Sequence, residues 1–120
     1  SSDLVLLDAE GVPLLRNFVH VKDLVAAILS TIDHPRARQQ LIHVGMDEPV
    51  DYGRLGDHLH RTRGLPLVPI RDRFHSTWLD NSKAKFLLGW RPRYDLARLA
   101  DEAWDYRRSA DDPRRVWYPG

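Results

Sequence analysis

The clearest pattern in the chain is a helical repeat of apolar side chains in its first third. Apolar residues recur three or four positions apart across residues 21–32, namely Val21, Leu24, Val25, Ile28, Leu29 and Ile32. This spacing places them along one face of a helix. The Asp33-His34-Pro35 sequence predicts the end of that helix, because the residue before a proline is driven out of the α region.

Short apolar runs on both sides of this helix predict strands. Residues 4–7 form one run, and the Asp8-Ala9-Glu10-Gly11 sequence that follows predicts a turn. The β-branched and aromatic residues in 14–21 favour a second strand, which leads directly into the helix. Residues 41–46 are short and mostly apolar, which indicates a strand buried on both faces.

The rest of the chain alternates capped helices with extended segments. Asp51 is predicted to cap a helix that Gly64 ends, and Asp95 to cap the last helix. The cap-type residues 80–82 precede a short helix over residues 83–88.

Prolines and the aromatic side chains refine this picture. Pro66 and Pro69 restrict residues 65–70 to an edge strand or an extended arm, because proline has no N–H for the ladder. Asp111-Asp112-Pro113 predicts the end of the last helix. Trp90 and Trp104 are predicted to be core aromatics.

Length and composition bound the class of protein. The chain has 120 residues, 42% of them hydrophobic and 29% charged, which indicates one globular domain. A formal charge of +1 does not suggest a nucleic-acid binder. The longest apolar runs are shorter than the roughly 20 residues that span a bilayer. The chain contains no cysteine and so needs no oxidising compartment, and we expect a cytoplasmic location and no membrane partner.

Several familiar kinds of site are missing from the sequence. His58 and His60 lie two positions apart on a predicted helix and so point to different faces, and we expect no metal site. Gly53 and Gly56 lack a third glycine and a preceding strand that would make a dinucleotide loop. No Gly-x-Ser-x-Gly occurs either. We therefore predict no catalytic, cofactor-binding or metal-binding residue within the chain.

Arginine gives a more useful signal. Arg16 lies on a predicted strand that approaches a helix start, and Arg71 and Arg73 lie in the loop after the proline-bounded segment. A forked guanidinium suits phosphate or carboxylate groups. The alternative for any one of them is a solvated surface charge.

Five motifs in fixed order carry a family resemblance. They are RNFVHVKDLV at 16–25, IHVG at 42–45, EPV at 48–50, DNSKAK at 80–85 and LGWRP at 88–92. Together they resemble the C-terminal third of the extended short-chain dehydrogenase/reductase family, the NAD-dependent sugar epimerases and dehydratases. The resemblance covers roughly residues 10–108 and is specific because the motifs occur as an ordered set.

The resemblance implies an α/β fold in a particular place. The chain would form the substrate-binding lobe plus the last strand-helix elements of an NAD(P)-binding Rossmann-type fold, with about four helices and a few short strands. In the family, a glycine-rich loop holds NAD or NADP and a Tyr-x-x-x-Lys pair works with a serine, all upstream of this segment. None of the tyrosines at 52, 94, 106 and 118 is followed four positions later by lysine. We therefore expect residues 1–120 to be one C-terminal domain of a longer enzyme, inactive and without cofactor by itself.

The resemblance also assigns substrate-binding residues. Arg16 matches the family arginine that contacts substrate phosphates in many members, and Arg71 lies near the usual place of a second one. The segment Asp72-Arg73-Phe74-His75 replaces the usual Gly-Asp pair, which leaves a nucleotide sugar, a smaller sugar or a sugar acid as the substrate. His20 and Asp23 also match the family pattern, and the charge of Asp23 suits the first turn of a helix.

Two alternatives to the enzyme interpretation remain at this point. The chain could be a stand-alone binding or interaction module, or a nucleic-acid binder acting through Arg61, Arg63, Arg71 and Arg73. The apolar helix over residues 21–32 and the segment 41–46 also predict an exposed apolar surface, through which the isolated chain would self-associate.

Overall fold

The computed structural model describes residues 3–106, which form a mixed α/β fold. Its helices α1, α2, α3 and α4 span Val21–Thr31, Tyr52–Arg63, Ser82–Leu88 and Leu96–Asp105. Its strands β1, β2, β3 and β4 span Asp3–Leu7, Leu15–Arg16, Val50–Asp51 and Leu67–Arg71. The prediction of an α/β fold with four helices and a few short strands is confirmed over this part of the chain.

The strands pair in two small sheets. β1 and β4 run parallel, with Leu7 opposite Arg71 and Val5 opposite Pro69. Because this sheet has two strands, β4 is an edge strand, where a proline is tolerated as predicted. β2 and β3 pair antiparallel, with Arg16 opposite Val50. Helix α2 packs against β1 and against α4, so it lies between the β1–β4 sheet and the last helix.

The helix ends follow the sequence closely. The His20 side chain accepts a hydrogen bond from Lys22 N at the start of α1, and the Asp51 carboxylate accepts from Gly53 N and Arg54 N at the start of α2. Gly64 ends α2 in the left-handed conformation at φ 68°, which glycine adopts without strain. The predicted caps of α2 are confirmed.

The cap of α3 differs in detail from the prediction. Asp80 Oδ1 accepts from Ser82 N at 2.8 Å, whereas the Asn81 side chain makes no cap hydrogen bond. Asn81 is buried and instead donates to Gly45 O at 3.0 Å. Its amide therefore joins α3 to the segment before β3.

Two predicted strands are wrong or too long. Residues 41–46 belong to no strand, although Met46 N donates to Phe18 O at 2.9 Å. A strand needs a neighbour that offers a row of backbone donors and acceptors, and the described residues supply none here. For the same reason, the strand predicted over residues 14–21 is reduced to Leu15–Arg16, opposite β3.

The core is small and lies between α1, α3 and the segment that follows α3. Ala27, Ala84 and Trp90 are buried at its centre. Trp90 is 5% exposed, which confirms the prediction for this side chain, but Trp104 is 48% exposed, so the prediction for Trp104 is wrong. Trp104 lies on the surface helix α4, where the guanidinium carbon of Arg63 is 5.2 Å from its ring centre.

The apolar face of α1 has no cover within residues 3–106. Ile28 is 53% exposed and Leu29 is 63% exposed, and Leu41 beside the helix is 75% exposed. The predicted exposed apolar surface is therefore present. No helix among the described residues is long and apolar enough to cross a membrane.

The last helix ends earlier than the sequence predicts. α4 stops at Asp105, and Tyr106 has extended backbone angles. The predicted stop signal, Asp111-Asp112-Pro113, lies outside the described residues.

Candidate functional site

Arg71 is the last residue of β4 and lies beside the turn that follows β1. The prediction that it lies in the loop after this segment is wrong, because Arg71 still pairs with Leu7 of β1. The Nε of Arg71 donates to Ala9 O at 3.0 Å, and its Nη2 donates to the same oxygen. The turn is held in place by Asp8, whose Oδ1 accepts from Glu10 N and Val12 N. The arginine is exposed and keeps its Nη1 donors. Its position is thus set by the backbone, while part of its guanidinium faces outward.

Arg16 is the last residue of β2 and is half-buried. Its Nη1 donates to His75 O at 2.5 Å, and its guanidinium carbon is 5.4 Å from the centre of the Phe74 ring. The Nε and Nη2 donors remain available for a ligand. Arg16 therefore has a fixed side chain with unused donor capacity.

The loop of residues 72–79 connects the surroundings of the two arginines. At one end, Ala9 N donates to Phe74 O at 3.1 Å. At the other end, Asn17 Nδ2 donates to Thr77 Oγ1 at 3.3 Å, and Asn17 Oδ1 accepts from Leu79 N at 2.7 Å. As an amide, Asn17 both donates to and accepts from this loop, which one carboxylate could not do.

The surface around Arg71 is open and carries charges of both signs. A depression of about 510 Å³ is lined by Ala9, Arg71, Asp72 and Arg73. The carboxylate of Asp72 accepts from Arg73 N at 2.6 Å, so part of its charge is used locally. The two arginines supply N–H donors for an anion, while Asp72 and the turn residues Asp8 and Glu10 reduce the net positive charge.

Asp23 forms a polar cluster at the start of α1 that no local sequence pattern predicts. Asp23 is 3% exposed, and its Oδ2 accepts from Arg93 N at 2.9 Å and from Tyr94 N at 3.1 Å. Its backbone oxygen accepts from Trp90 Nε1 at 3.0 Å. Asp23 lies in the first turn of α1 as predicted, and the structure adds the two N–H partners of the carboxylate to its role there. The carboxylate fixes the segment that carries Trp90 against α1.

His20 completes this cluster. Its ring stacks on Tyr94 at 3.7 Å, and its Nε2 lies 3.1 Å from Glu102 Oε1. Because Nδ1 accepts from Lys22 N, the proton of the neutral ring lies on Nε2 and is donated to Glu102. Desolvation of Glu102 opposes ionisation, but the hydrogen bond from His20 and nearby Lys22 lower the pKa of this carboxyl. His20 thus joins α1 to α4.

The N-terminus of α2 does not offer a free site for the pyrophosphate of a dinucleotide. Pyrophosphate binds at a helix N-terminus with free N–H groups, commonly after a glycine-rich turn. The N-terminus of α2, which carries Gly53 and Gly56, is already occupied by the Asp51 carboxylate on Gly53 N at 2.8 Å. A Cβ at Gly53 would lie 2.9 Å from Pro13 Cγ, so this glycine serves close packing. A second anion would be repelled by Asp51.

The two histidines of α2, His58 and His60, each have a partner within the protein. His58 Nε2 lies 2.8 Å from Asp101 Oδ1, and His60 Nδ1 lies 2.8 Å from Leu65 O. In residues 3–106, no three His, Cys, Asp or Glu side chains are grouped as a metal would need. Arg63 lies 3.5 Å from Asp105 and 3.8 Å from Asp101, so its charge is balanced within the α2–α4 interface.

Lys85 and Asn81 bind a single carboxylate ahead of β3. Asp47 forms an ion pair with Lys85 and accepts from Asn81 Nδ2 at 3.1 Å. The hydrogen bond from Lys85 lowers the pKa of Asp47 despite its partial desolvation. The contacts hold α3 against the chain rather than exposing a reactive group.

Comparisons in sequence identify relatives of the chain. No family model matches it. The UDP-glucose 4-epimerase of Rhizobium meliloti is 28% identical over 99 residues, which cover 77% of this chain and 30% of that protein. The chloroplast stem-loop binding protein of 41 kDa b from Arabidopsis thaliana is 23% identical, with the same two shares. The chain thus spans about 30% of the length of the curated relatives it matches.

Solved structures give the same answer for the fold. A short-chain dehydrogenase/reductase superfamily protein from Agrobacterium tumefaciens, crystallised with NAD, superposes with a TM-score of 0.77 and 27% identity. The match covers 85% of this chain and 32% of that one. The UDP-glucose 4-epimerase of Stenotrophomonas maltophila, with NAD and a formylated UDP-arabinopyranose, superposes with a TM-score of 0.68 and 22% identity over 86% of this chain and 34% of that one. The family resemblance and the Rossmann-type relationship are confirmed.

Proposed function

We propose that this chain is a member of the extended short-chain dehydrogenase/reductase family. On that premise, it is the C-terminal, substrate-binding lobe of an NAD(P)-dependent sugar epimerase, dehydratase or dehydrogenase. The observation that carries the proposal is the match of 85% of this chain to 32% of a family structure, at 27% identity. A partial match of this kind fits a lobe of a larger enzyme. The cytoplasmic location stays a prediction from composition.

The uncovered face of α1 supports the same proposal. Six apolar side chains on this helix are exposed, namely Val21, Leu24, Val25, Ile28, Leu29 and Ile32. A stable domain rarely leaves so continuous an apolar face in water. We infer that the sheet of the cofactor-binding part covers this face in the parent enzyme. The same sheet would give residues 41–46 the strand partner that residues 3–106 do not contain.

Arg16 and Arg71 are the proposed substrate-binding residues. Each guanidinium is fixed by a backbone carbonyl and keeps unused N–H donors. Their proposed ligand is an anionic part of the substrate, either the diphosphate of a nucleotide sugar or the carboxylate of a smaller sugar acid. When bound in the parent, the nicotinamide cofactor supplies hydride transfer. The glycine-rich loop that would hold this cofactor is missing from the sequence, so the proposed task of this lobe is to hold and orient the sugar.

The isolated chain is expected to bind neither NAD nor NADP. The glycine-rich loop is missing from the sequence, and Asp51 occupies the helix N-terminus that could otherwise attract the pyrophosphate. Calorimetric titration with each dinucleotide should give no saturable heat. The same titration of the longer parent protein serves as the positive control, and saturable binding to the isolated chain at micromolar concentration would contradict the proposal.

In the parent enzyme, replacing Arg16 or Arg71 with alanine is expected to lower kcat/KM by roughly ten- to a hundredfold. A charge-assisted hydrogen bond to an anion contributes about 1.5–3 kcal/mol, and lysine should rescue incompletely because it lacks the forked donors. Steady-state kinetics with candidate nucleotide sugars and sugar acids provide the measurement.

The control for this experiment is Arg61→Ala, which removes an exposed arginine from α2. For a nucleotide sugar, both site variants should weaken inhibition by the free nucleoside diphosphate. For a sugar acid, that nucleotide should not inhibit even the unaltered enzyme. If both site variants have the same kinetics as Arg61→Ala, Arg16 and Arg71 are ordinary solvated surface charges and do not bind the substrate.

A second candidate function is nucleic-acid binding by a module without enzymatic activity. It is favoured by the name of the relative described as a chloroplast stem-loop binding protein. The charge of Arg63 is balanced by Asp101 and Asp105, which weakens the arginine set suggested by the sequence. Steep salt dependence of binding to a stem-loop RNA would favour this candidate. A Gly-rich loop and a Tyr-x-x-x-Lys pair encoded directly upstream would favour the enzyme.

A further inference from the structure

A basic surface is formed without the proposed substrate arginines. It is a hollow of about 390 Å³ between α1 and the segment of residues 89–98. The cationic side chains that line it are Lys22, Arg91, Arg93 and Arg98, and we call it the basic hollow. None of these residues belongs to β2, β4 or the loop of residues 72–79.

The cations of the basic hollow are mostly free to bind a ligand. The side chains of Arg91 and Arg93 form no hydrogen bond or ion pair within residues 3–106, although the charge of Arg91 also acts on Asp47. Lys22 has one acidic partner, Glu102, at 3.8 Å, and is 70% exposed. Such a pair contributes little, since both groups are largely solvated.

Arg98 is held in one orientation before any ligand arrives. Its Nη1 donates to Arg93 O at 3.1 Å, and its guanidinium carbon lies 4.4 Å from the centre of the Tyr94 ring. Tyr94 is itself fixed, because its ring stacks on His20 and its N–H is bound by Asp23. A donor fixed in this way loses little conformational freedom on binding.

The acidic group in the hollow does not cancel its charge. Asp23 is buried, and its Oδ2 is used by Arg93 N and Tyr94 N. Ser30 Oγ donates to Ala26 O and so presents its oxygen lone pairs, not its proton, to the hollow. The hollow thus combines four cationic side chains with one carboxylate that already has two N–H partners.

We infer that the basic hollow binds a phosphate group carried by a small molecule. Guanidinium groups match phosphate with paired N–H donors, and several cations around a concave surface reinforce each other's attraction for an anion. The volume admits a phosphorylated small molecule rather than a lone ion. The basic hollow shares no residue with the proposed sugar site, so the molecule that binds in it would be a further ligand of the protein.

The test uses the full chain at low ionic strength, with inorganic pyrophosphate as the probe in calorimetric titration. The site variant is Arg91→Ser/Arg93→Ser, and the matched control is Arg36→Ser/Arg38→Ser, which removes two exposed arginines from the loop after α1. Circular dichroism of both variants checks that they fold. We expect saturable one-to-one binding to the unaltered chain and to the control, weakened roughly tenfold or more in the site variant.

Three outcomes would overturn the inference. One is the absence of saturable binding to the unaltered chain. Another is an equal loss of affinity in the two double variants, which would indicate general charge attraction. The third is binding of a stem-loop RNA through Arg91 and Arg93 that pyrophosphate does not displace, which would assign the surface to nucleic acid. If the site variant fails to fold, the single variant Arg91→Ser replaces it. The side chain of Arg91 makes no hydrogen bond or ion pair in the described residues. The expected result, weakened binding, is the same.

Discussion

Replacing Asp23 with alanine is expected to lower the free energy of unfolding by about 2–4 kcal/mol. The change removes the acceptor of Arg93 N and Tyr94 N, and the second of these lies in a buried position. Hydrogen bonds to a charged acceptor contribute about 1.5–3 kcal/mol each, and the loss is reduced because a buried carboxylate is removed as well. Urea denaturation followed by tryptophan fluorescence at low protein concentration measures the difference, since Trp90 is buried beside this contact.

Two companion variants make the interpretation specific. Asp23→Asn keeps one acceptor oxygen and should lose about half as much stability. Asp57→Ala removes an exposed carboxylate from α2 and should change stability by less than about 0.5 kcal/mol. If Asp23→Ala loses no more than Asp57→Ala, the carboxylate does not hold the Trp90 segment against α1.

The isolated chain is expected to self-associate, and Ile28→Glu/Leu29→Glu is expected to return it to a monomer. These two side chains lie at the centre of the exposed apolar face of α1, with 53% and 63% of their surfaces accessible. Apolar surface contributes about 25 cal/mol per Å² when it is removed from water, so a face of this size favours association. Light scattering across a concentration series should show an apparent mass that rises for the unaltered chain and stays constant for the variant.

A charge-matched control separates apolar contact from simple repulsion. Arg61→Gln/Lys83→Gln changes the net charge by the same amount but leaves the apolar face intact, and both residues are exposed. This control should still associate. A well-folded monomer of the unaltered chain at high concentration would show that the face needs no cover, and would weaken the proposal that an upstream sheet packs on it.

Local signals in the sequence were sufficient to predict the four helices, both ends of α2 and the start of α4. Asp51 and Asp95 cap α2 and α4 because a short acceptor side chain can reach the N–H groups within its own turn. Gly64 ends α2 because glycine adopts a positive φ without steric cost. These effects involve residues less than a turn apart, so tertiary packing is not needed to specify them.

Strands and buried aromatics depended on partners that are distant in sequence. Residues 41–46 have strand composition but form no ladder, because no neighbouring strand lies beside them in residues 3–106. Trp90 is buried and Trp104 is not, although both follow apolar patterns, since α1 and α3 cover Trp90 and α4 lies at the surface. Composition indicates that a side chain can be buried, and contacts decide whether it is.

The candidate sites divide in the same way. The sequence by itself determined the caps of α2, the cap at the start of α4 and the apolar face of α1, while the choice of Arg16 and Arg71 came from the family resemblance and stays a prediction. Only the tertiary structure showed that the loop of residues 72–79 links the two arginines and that Asp23 binds N–H groups some seventy residues away. Hydrogen bonds that close so long a loop depend on how the helices and strands pack together. Local residue preferences do not specify that packing.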